Sequence, residues 1–324
     1  MPLNNEIIIF EYFTSLQKLN YNLNDKIFKE AQKLLDLLVK YFCLNKNIKK
    51  IHVIRNSKLP QTKNKKIIYH LTSPKKKLEI IFNSIKTKKL ILLAPESHKI
   101  NIKLMKILGK KFELLNSDLI VSEIFSSKKK TFEHLNKKKI PTLSIIKKIK
   151  KSHDSEVYIS KPIYGAGSEK VKLIRSTDIK EINKNLIIQK FYKGTKGSFS
   201  MLCNKRDFVI LSCNKQLVEI KDRKVFQTGL VVGGLENARK TIHCLAKKIV
   251  SNFSGLFGFI GVDILLDEGT WYIVEVNSRF TSSLIGLEKA YGKEIIKRIT
   301  NFYLNKKIEK TCIKLRTEFR VRFH

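Results

Sequence analysis

Apolar positions in the first third of the chain alternate between two spacings, one typical of strands and one typical of helices. Unbroken apolar runs such as IIIFEY at 7–12 have strand length, whereas 24–44 repeats apolar residues at helical spacing behind an Asn-Asp start. The strand candidates are 7–12, 50–54, 67–70 and 89–94, and the helix candidates are 24–44 and 74–86. This alternation predicts a small parallel α/β domain.

Beyond residue 115 the predicted strands follow one another more closely. A helix predicted over 127–138 stops at Pro141, and a short helix is predicted near 177–184. The strand candidates around it read VYISKP, KVKLI, NLIIQKF, SFSML and DFVILSC. The later candidates are a helix at 236–253, a hairpin of 259–266 and 271–276, and a long helix at 282–303. Closely spaced strands of this kind are typical of an antiparallel-rich α+β unit.

The two patterns predict a mixed fold, α/β at the amino end and α+β after it. The expected parts are a parallel α/β domain at 1–115, a larger domain at 116–310 with a lid subdomain at about 140–188, and a basic tail or edge strand at 311–324. The 324 residues are 43% hydrophobic and 29% charged, which is a globular composition. Since no apolar run approaches the roughly 20 residues that span a bilayer, we expect a soluble cytoplasmic protein with no membrane partner.

The formal net charge of +37 raises the question of a nucleic-acid partner. Only ten of the 65 basic residues are Arg, and Lys is spread along the chain together with abundant Ile and Asn. Because phosphate and base recognition favours Arg, we interpret the excess as AT-rich codon usage and expect no specific nucleic acid. A basic RNA-binding protein remains the alternative from another functional class. The sequence leaves a homo-oligomer open.

Acidic and amide side chains meet on the predicted carboxyl-terminal hairpin. Asp263 and Glu275 lie on its two strands, and Asn277 shares the face of Glu275 because side chains alternate along a strand. Carboxylate and amide oxygens are ligands that suit Mg²⁺. The five Cys and seven His are scattered without metal-binding spacing, so a metal here would take oxygen ligands. The alternative is an ordinary hairpin with solvated acids.

Basic and glycine-rich segments provide candidate phosphate contacts. Arg279 continues the face of Asn277, and a guanidinium there can hold a transferring phosphoryl group. Lys161 precedes a turn whose backbone N–H groups can meet phosphate oxygens. That turn consists of Gly165, Ala166, Gly167 and Ser168. A plain hairpin turn explains it equally well.

Two further segments complete the candidate site. Lys128 lies just ahead of the helical segment 129–138, within a run of three lysines that can equally be a solvated charge run. The strand 186–194 (LIIQKFYKG) ends in polar residues, and its backbone can pair with an adenine edge while Phe191 and Tyr192 provide apolar cover. Glu219 and Asp222 are candidates for a general base by location only.

Taken in order, these features resemble the ATP-grasp superfamily of carboxylate–amine ligases over roughly residues 116–300. The preceding α/β segment fits that family's Rossmann-like pre-ATP-grasp domain. The resemblance implies ATP and Mg²⁺ as cofactors, with Mn²⁺ as a substitute for Mg²⁺. The implied phosphate contacts are Lys128 and Lys161, with Gly165, Ala166, Gly167 and Ser168 as the closing loop. The implied adenine hinge is Gln189, Lys190, Phe191 and Tyr192. The implied metal ligands are Asp263, Glu275 and Asn277, with Arg279 facing the γ-phosphate and the acyl phosphate.

Four segments are similar to the tyramine–glutamate ligase group of methanofuran biosynthesis and its relatives in methylotrophic one-carbon metabolism. They are IIIFEY, LLAPES at 92–97, CNKQ at 213–216, and GFIGVDILL with IVEVNSRFTSSLIGLEKA. This similarity implies an amide bond between glutamate and tyramine or a tyrosine-like amine, formed through an acyl phosphate from small-molecule substrates. A ligase that adds an amino acid to another carboxylate, such as a peptide, is the alternative within the superfamily.

Overall fold

The computed structural model describes residues 5–16, 26–75, 77–146, 156–165, 167, 170–178 and 183–323. The strands of the first part are β1 (Glu6–Glu11), β2 (Lys50–Asn56), β3 (Ile67–Thr72), β4 (Lys89–Leu93) and β5 (Glu113–Leu114). The helices up to residue 137 are α1 (Lys26–Leu44), α2 (Leu78–Ser84), α3 (Ile100–Leu108), α4 (Leu119–Phe125) and α5 (Lys128–Lys137). The five strands form a parallel sheet in the order β3-β2-β1-β4-β5.

The second sheet contains nine strands and is largely antiparallel. Its strands are β6 (Val157–Pro162), β7 (Lys172–Arg175), β8 (Leu186–Lys190), β9 (Thr195–Asn204), β10 (Asp207–Lys221), β11 (Lys224–Val232), β12 (Phe257–Asp267), β13 (Thr270–Asn277) and β14 (Phe319–Arg322). The order is β13-β12-β9-β10-β11-β7-β6-β8, and β14 pairs with β11. The remaining helices are α6 (Arg239–Asn252), α7 (Leu284–Tyr291) and α8 (Lys293–Asn305). The mixed fold class predicted from the sequence is confirmed.

Alternating side chains of β1 belong to two different cores, which fixes the orientation of the parallel sheet. Ile7 and Ile9 pack with α1, α7 and α8 in a cluster that also includes residues of the second sheet. Ile8 and Phe10 point to the opposite face and pack with α2 and α3. One continuous core therefore joins the two sheets, and the carboxyl ends of β1 and β4 are held close to the β12–β13 hairpin.

Two of the predicted helices differ in the structure. The single helix predicted over 282–303 is wrong, because Gly292 adopts φ +82° and separates α7 from α8. A side chain at this position would also collide with the Arg316 guanidinium. Of the short helix predicted near 177–184, the structure describes a 3-10 turn at Ser176–Asp178, and 179–182 lie outside the described residues. No helix within the described ranges is long and apolar enough to cross a membrane.

Candidate active site

A cavity of about 240 Å³ lies over the face of the second sheet, and most of the predicted site residues line it. Those on its wall are Lys128, Lys161, Gly165, Gly167, Lys190, Phe191, Tyr192, Asp263, Glu275, Asn277 and Arg279. Ala166 and Ser168, which were predicted to belong to the closing loop, lie outside the described residues. Segments separated by up to about 150 positions in the sequence thus converge on one cavity.

Two carboxylates face each other across the β12–β13 hairpin. Asp263 is in direct register with Glu275, and Asn277 follows on the same strand opposite Gly261. The Gln216 side chain, from β10, donates an N–H to Asp263 Oδ1 at 2.9 Å. Burial and the neighbouring Glu275 carboxylate raise the pKa of Asp263 to about 7. The pair therefore carries negative charge that the protein compensates only in part.

This donor set fits a hard divalent cation. Two carboxylates and one amide oxygen line the same cavity wall, and a cation between them would relieve the repulsion that raises the pKa of Asp263. Among the described residues, no three His, Cys, Asp or Glu side chains converge on one point. Asp263, Glu275 and Asn277 would therefore supply part of a coordination shell, and a hard cation such as Mg²⁺ commonly takes further ligands from substrate phosphates and water.

Lys128 is the first residue of α5 and reaches the acidic pair. Ser127 caps this helix by accepting the Lys130 N–H on its hydroxyl. The Lys128 ammonium donates to Glu275 Oε1 at 2.8 Å and to the Gly165 carbonyl at 3.0 Å. It thus connects the acidic pair to the start of the predicted closing loop, and it can exchange these acceptors for phosphate oxygens.

Lys161 lies on β6 with its ammonium nearly excluded from solvent. Its Nζ donates to Gln189 Oε1 at 3.1 Å, and Gln189 in turn donates to the Leu143 carbonyl at 2.8 Å. Gln189 is therefore a support for Lys161 and is not part of the cavity wall, whereas it was predicted within the hinge. Burial and the nearby Lys128 ammonium lower the pKa of Lys161 to about 8.

The lowered pKa of Lys161 predicts that nucleotide binding weakens in mild alkali. Only the ammonium form pairs with phosphate, and this form is lost as the pH rises through about 8, where an ordinary Lys stays charged. We expect the dissociation constant for a non-hydrolysable ATP analogue to increase about tenfold between about pH 7.5 and about pH 9.5. Isothermal titration calorimetry at several pH values measures this change.

The matched variant for this titration is Lys161→Gln, which keeps polarity at the position and removes the charge. It should bind the ATP analogue weakly at every pH. Wild-type affinity in Lys161→Gln would show that this ammonium does not contact phosphate. A wild-type dissociation constant independent of pH would contradict the proposed titration.

Arg279 is held by a carboxylate from the other sheet. Its Nε and one terminal nitrogen donate to the two oxygens of Glu96, both at 2.8 Å. Glu96 is 4% exposed and follows β4 closely, at the carboxyl end of the parallel sheet. Burial acts to raise the pKa of Glu96, but the Arg279 guanidinium outweighs burial and holds it below its usual value. The guanidinium is thus fixed at the border between the parallel sheet and the cavity.

The far end of the cavity carries the predicted hinge. β8 ends at Lys190, and Lys190, Phe191 and Tyr192 line the wall there. The Lys196 ammonium lies 5.6 Å from the centre of the Phe191 ring. These residues provide backbone groups and apolar cover that suit a planar base.

Four acidic or amide residues change the assignments made from the sequence. Glu219 and Asp222, the candidates for a general base, are exposed and lie outside the described lining of the cavity. Gln216, which contacts Asp263, and Glu96, which holds Arg279, were not assigned a role. Both lie in the segments CNKQ and LLAPES, and the only sequence signal for these segments is their resemblance to known ligases.

The chain is similar in sequence to known proteins. Residues 125–283 match the model of the ATP-grasp domain. The chain carries an ATP-grasp domain. It is 29% identical to the tyramine–L-glutamate ligase of Methanocaldococcus fervens, with 72% of this chain and 75% of that protein covered. It is 26% identical to the enzyme of the same name from Methanocaldococcus jannaschii, with 88% of this chain and 82% of that protein covered.

Solved structures show the same fold at low identity. An ATP-grasp superfamily protein from Archaeoglobus fulgidus superposes with a TM-score of 0.70 at 21% identity, with 91% of this chain and 88% of that chain covered. The L-amino acid ligase from Bacillus licheniformis superposes with a TM-score of 0.60 at 16% identity, with 93% of this chain and 74% of that chain covered. Together with the sequence relatives, the ATP-grasp domain identifies the chain as an ATP-dependent carboxylate–amine ligase.

Proposed function

We propose that this ATP-grasp ligase joins the carboxylate of glutamate to tyramine or a closely similar amine, through an acyl phosphate and with release of ADP. The proposal is supported by the convergence of two carboxylates, two ammonium groups and one fixed guanidinium on a single cavity. The two relatives from Methanocaldococcus carry the name of this reaction and cover most of the chain. Methanofuran-type cofactor biosynthesis is the corresponding metabolic setting.

In this proposal the triphosphate lies along the basic wall of the cavity. The Lys161 and Lys128 ammonium groups contact its phosphate oxygens, and the backbone at Gly165 and Gly167 closes over them. The base lies at the hinge, against Phe191 and Tyr192. Charge neutralisation by fixed cations is the main contribution a protein makes to phosphoryl transfer.

Asp263, Glu275 and Asn277 would hold Mg²⁺, or Mn²⁺ in its place. When bound, the metal neutralises charge on the phosphate oxygens during transfer. A cation held there would share with Lys128 the compensation of Glu275, and the Lys128 ammonium would then be able to contact phosphate. Gln216 orients Asp263 through the hydrogen bond to Oδ1.

Arg279 has the central role in the amide-forming step. A carboxylate reacts with an amine only after its oxygen becomes a good leaving group, and transfer of the γ-phosphoryl group achieves this. The Arg279 guanidinium, fixed by Glu96, then faces the negative charge that develops on the acyl oxygen during amine attack. The loop at Gly165 would exclude water, which otherwise hydrolyses the acyl phosphate.

The experiment that tests this function measures ADP release from purified protein with pairs of substrates. We expect release with Mg²⁺, glutamate and tyramine together, and loss of release when any one of the three is omitted. The product should contain one new amide bond by mass spectrometry. Turnover only with an amino acid and a peptide or other carboxylate would favour the alternative ligase. No ADP release with any pair would contradict the proposed function.

A further inference from the structure

A second cavity of about 100 Å³ adjoins the first at the phosphoryl-transfer end. Glu30, Gly167 and Arg279 line both cavities, so the two spaces share a border at the guanidinium. The second cavity extends from there toward the parallel sheet, between α1 and the carboxyl ends of β1 and β4. A molecule in this space would have one end beside the reacting acyl group.

Among the residues that the structure describes, the lining of the second cavity is apolar apart from two acidic side chains and one guanidinium. Its apolar wall consists of Phe13, Ile27, Ala31, Leu34, Leu93, Ala94, Pro95 and Phe280. The described cation on this wall, Arg279, donates to Glu96 through Nε and one terminal nitrogen, and to the Phe280 carbonyl through the other terminal nitrogen. On these residues a dicarboxylate such as glutamate would meet two acidic side chains and one guanidinium that is already paired, whereas the first cavity offers several lysines.

Two acidic side chains line the same space. Glu11 ends β1, is 3% exposed, and its carboxylate accepts the backbone N–H groups of Phe13 at 3.1 Å and Thr14 at 2.7 Å. These bonds fix the carboxylate in place. Glu30 lies on α1, accepts the Ser282 hydroxyl, and borders both cavities. Burial raises the pKa of Glu11, and a cationic ligand would relieve the cost of charging this carboxyl. Acidic side chains within an apolar wall therefore suit a ligand with a positive charge and an apolar body.

We infer that this second cavity is the amine subsite, and that it selects a primary amine with an aromatic body and no carboxylate of its own. The inference rests on the proposed function for its place in the reaction, since it names the amine class for the same site. The ammonium would lie at the Glu30 border, beside the acyl phosphate, with the ring against Leu34 and Phe280. An amino acid would bring its own carboxylate toward Glu11 and Glu30, and like charges would oppose its binding.

Three ring compounds of nearly equal shape test the charge requirement by direct binding. They are tyramine, tyrosine and 3-(4-hydroxyphenyl)propionate, titrated calorimetrically into full-length protein saturated with Mg²⁺ and a non-hydrolysable ATP analogue. We expect tyramine to bind at least about tenfold more tightly than either carboxylate-bearing compound. Equal binding of 3-(4-hydroxyphenyl)propionate and tyramine would overturn the inference, and so would no binding of tyramine.

Two variants test the location. Glu30→Gln should weaken tyramine binding by about 10- to 100-fold, because it removes a charged hydrogen-bond partner. Ala31→Leu should fill the cavity and abolish tyramine binding, while binding of the ATP analogue stays as in wild type. Glu133→Gln, which removes an exposed carboxylate on α5, is the matched charge control and should leave tyramine binding unchanged.

These results separate the inference from the proposed function. Wild-type tyramine affinity in both Glu30→Gln and Ala31→Leu would overturn the amine subsite, even if the enzyme releases ADP with glutamate and tyramine. Conversely, loss of binding in both variants supports the subsite whether or not turnover with glutamate is observed. If Ala31→Leu does not fold, Glu30→Gln together with the three-compound comparison decides the question.

Discussion

Replacing Glu275 by Gln should abolish ADP formation while leaving the fold intact. The same result is expected for Asp263→Asn. Each change keeps the shape of the side chain and removes a carboxylate from the two that would hold the metal, so we expect at least about a 10³-fold loss of turnover. Coupled-enzyme measurement of ADP release, with Mg²⁺ saturating for the wild type, gives the comparison.

Stability provides a second readout for the acidic pair. Asp263 and Glu275 repel each other, and burial together with Glu275 raises the pKa of Asp263 to about 7. Without metal, Asp263→Asn should therefore unfold at the same temperature as the wild type or at a higher one. The Gln216 N–H can still donate to the Asn oxygen. Loss of activity together with retained stability is typical of a functional site under electrostatic strain.

The control for the charge change is Glu268→Gln. Glu268 is exposed in the turn of the same β12–β13 hairpin, so this variant removes a carboxylate without altering the cavity. It should retain wild-type turnover. Wild-type turnover in Glu275→Gln as well would remove the metal assignment.

Loss of the Arg279 guanidinium should be the second largest effect. For Arg279→Ala we expect kcat to fall by about 10²- to 10³-fold, the usual cost of removing one donor to a developing oxyanion. The KM for ATP should change much less, because the proposed phosphate contacts of Lys128 and Lys161 would remain. Steady-state kinetics with ATP as the varied substrate separates the two parameters.

Glu96 is a positioning residue for the same step. Glu96→Gln leaves one acceptor for the guanidinium and removes the charge that fixes its orientation, so kcat should fall by about tenfold or more with little change in the KM for ATP. A purely structural role would lower the unfolding temperature and leave kcat per folded molecule unaltered. Wild-type kcat in Glu96→Gln would show that Arg279 does not depend on this contact.

Local pattern predicted much of the fold because most elements have clear spacing and boundaries. The apolar runs at β1 and β4 correspond to strands of a parallel sheet, and the hairpin around Asp263 and Glu275 forms with these residues in direct register. The break at Gly292 was missed because apolar residues continue at helical spacing on both sides of it. Only the backbone conformation, with φ +82°, shows that one helix ends and another begins.

The site was predictable where residues share a strand or a hairpin, or where the order of motifs resembles a known family, and contacts between distant segments were missed. Glu96 and Arg279 are 183 positions apart, and their ion pair depends on how the parallel sheet packs against the second sheet. Similarly, the acid on α1 that borders both cavities, Glu30, has no local motif around it. Contacts of this kind follow from topology, which helical or strand spacing does not specify.

Binding of Mn²⁺ reports on the metal site formed by Asp263, Glu275 and Asn277 without requiring any substrate to be identified. Electron paramagnetic resonance counts bound Mn²⁺ on the full-length protein in the presence of a non-hydrolysable ATP analogue. We expect one or two bound ions per wild-type chain, and a loss of bound metal in both Asp263→Asn and Glu275→Gln. Retention of wild-type Mn²⁺ binding in these two variants would contradict this assignment.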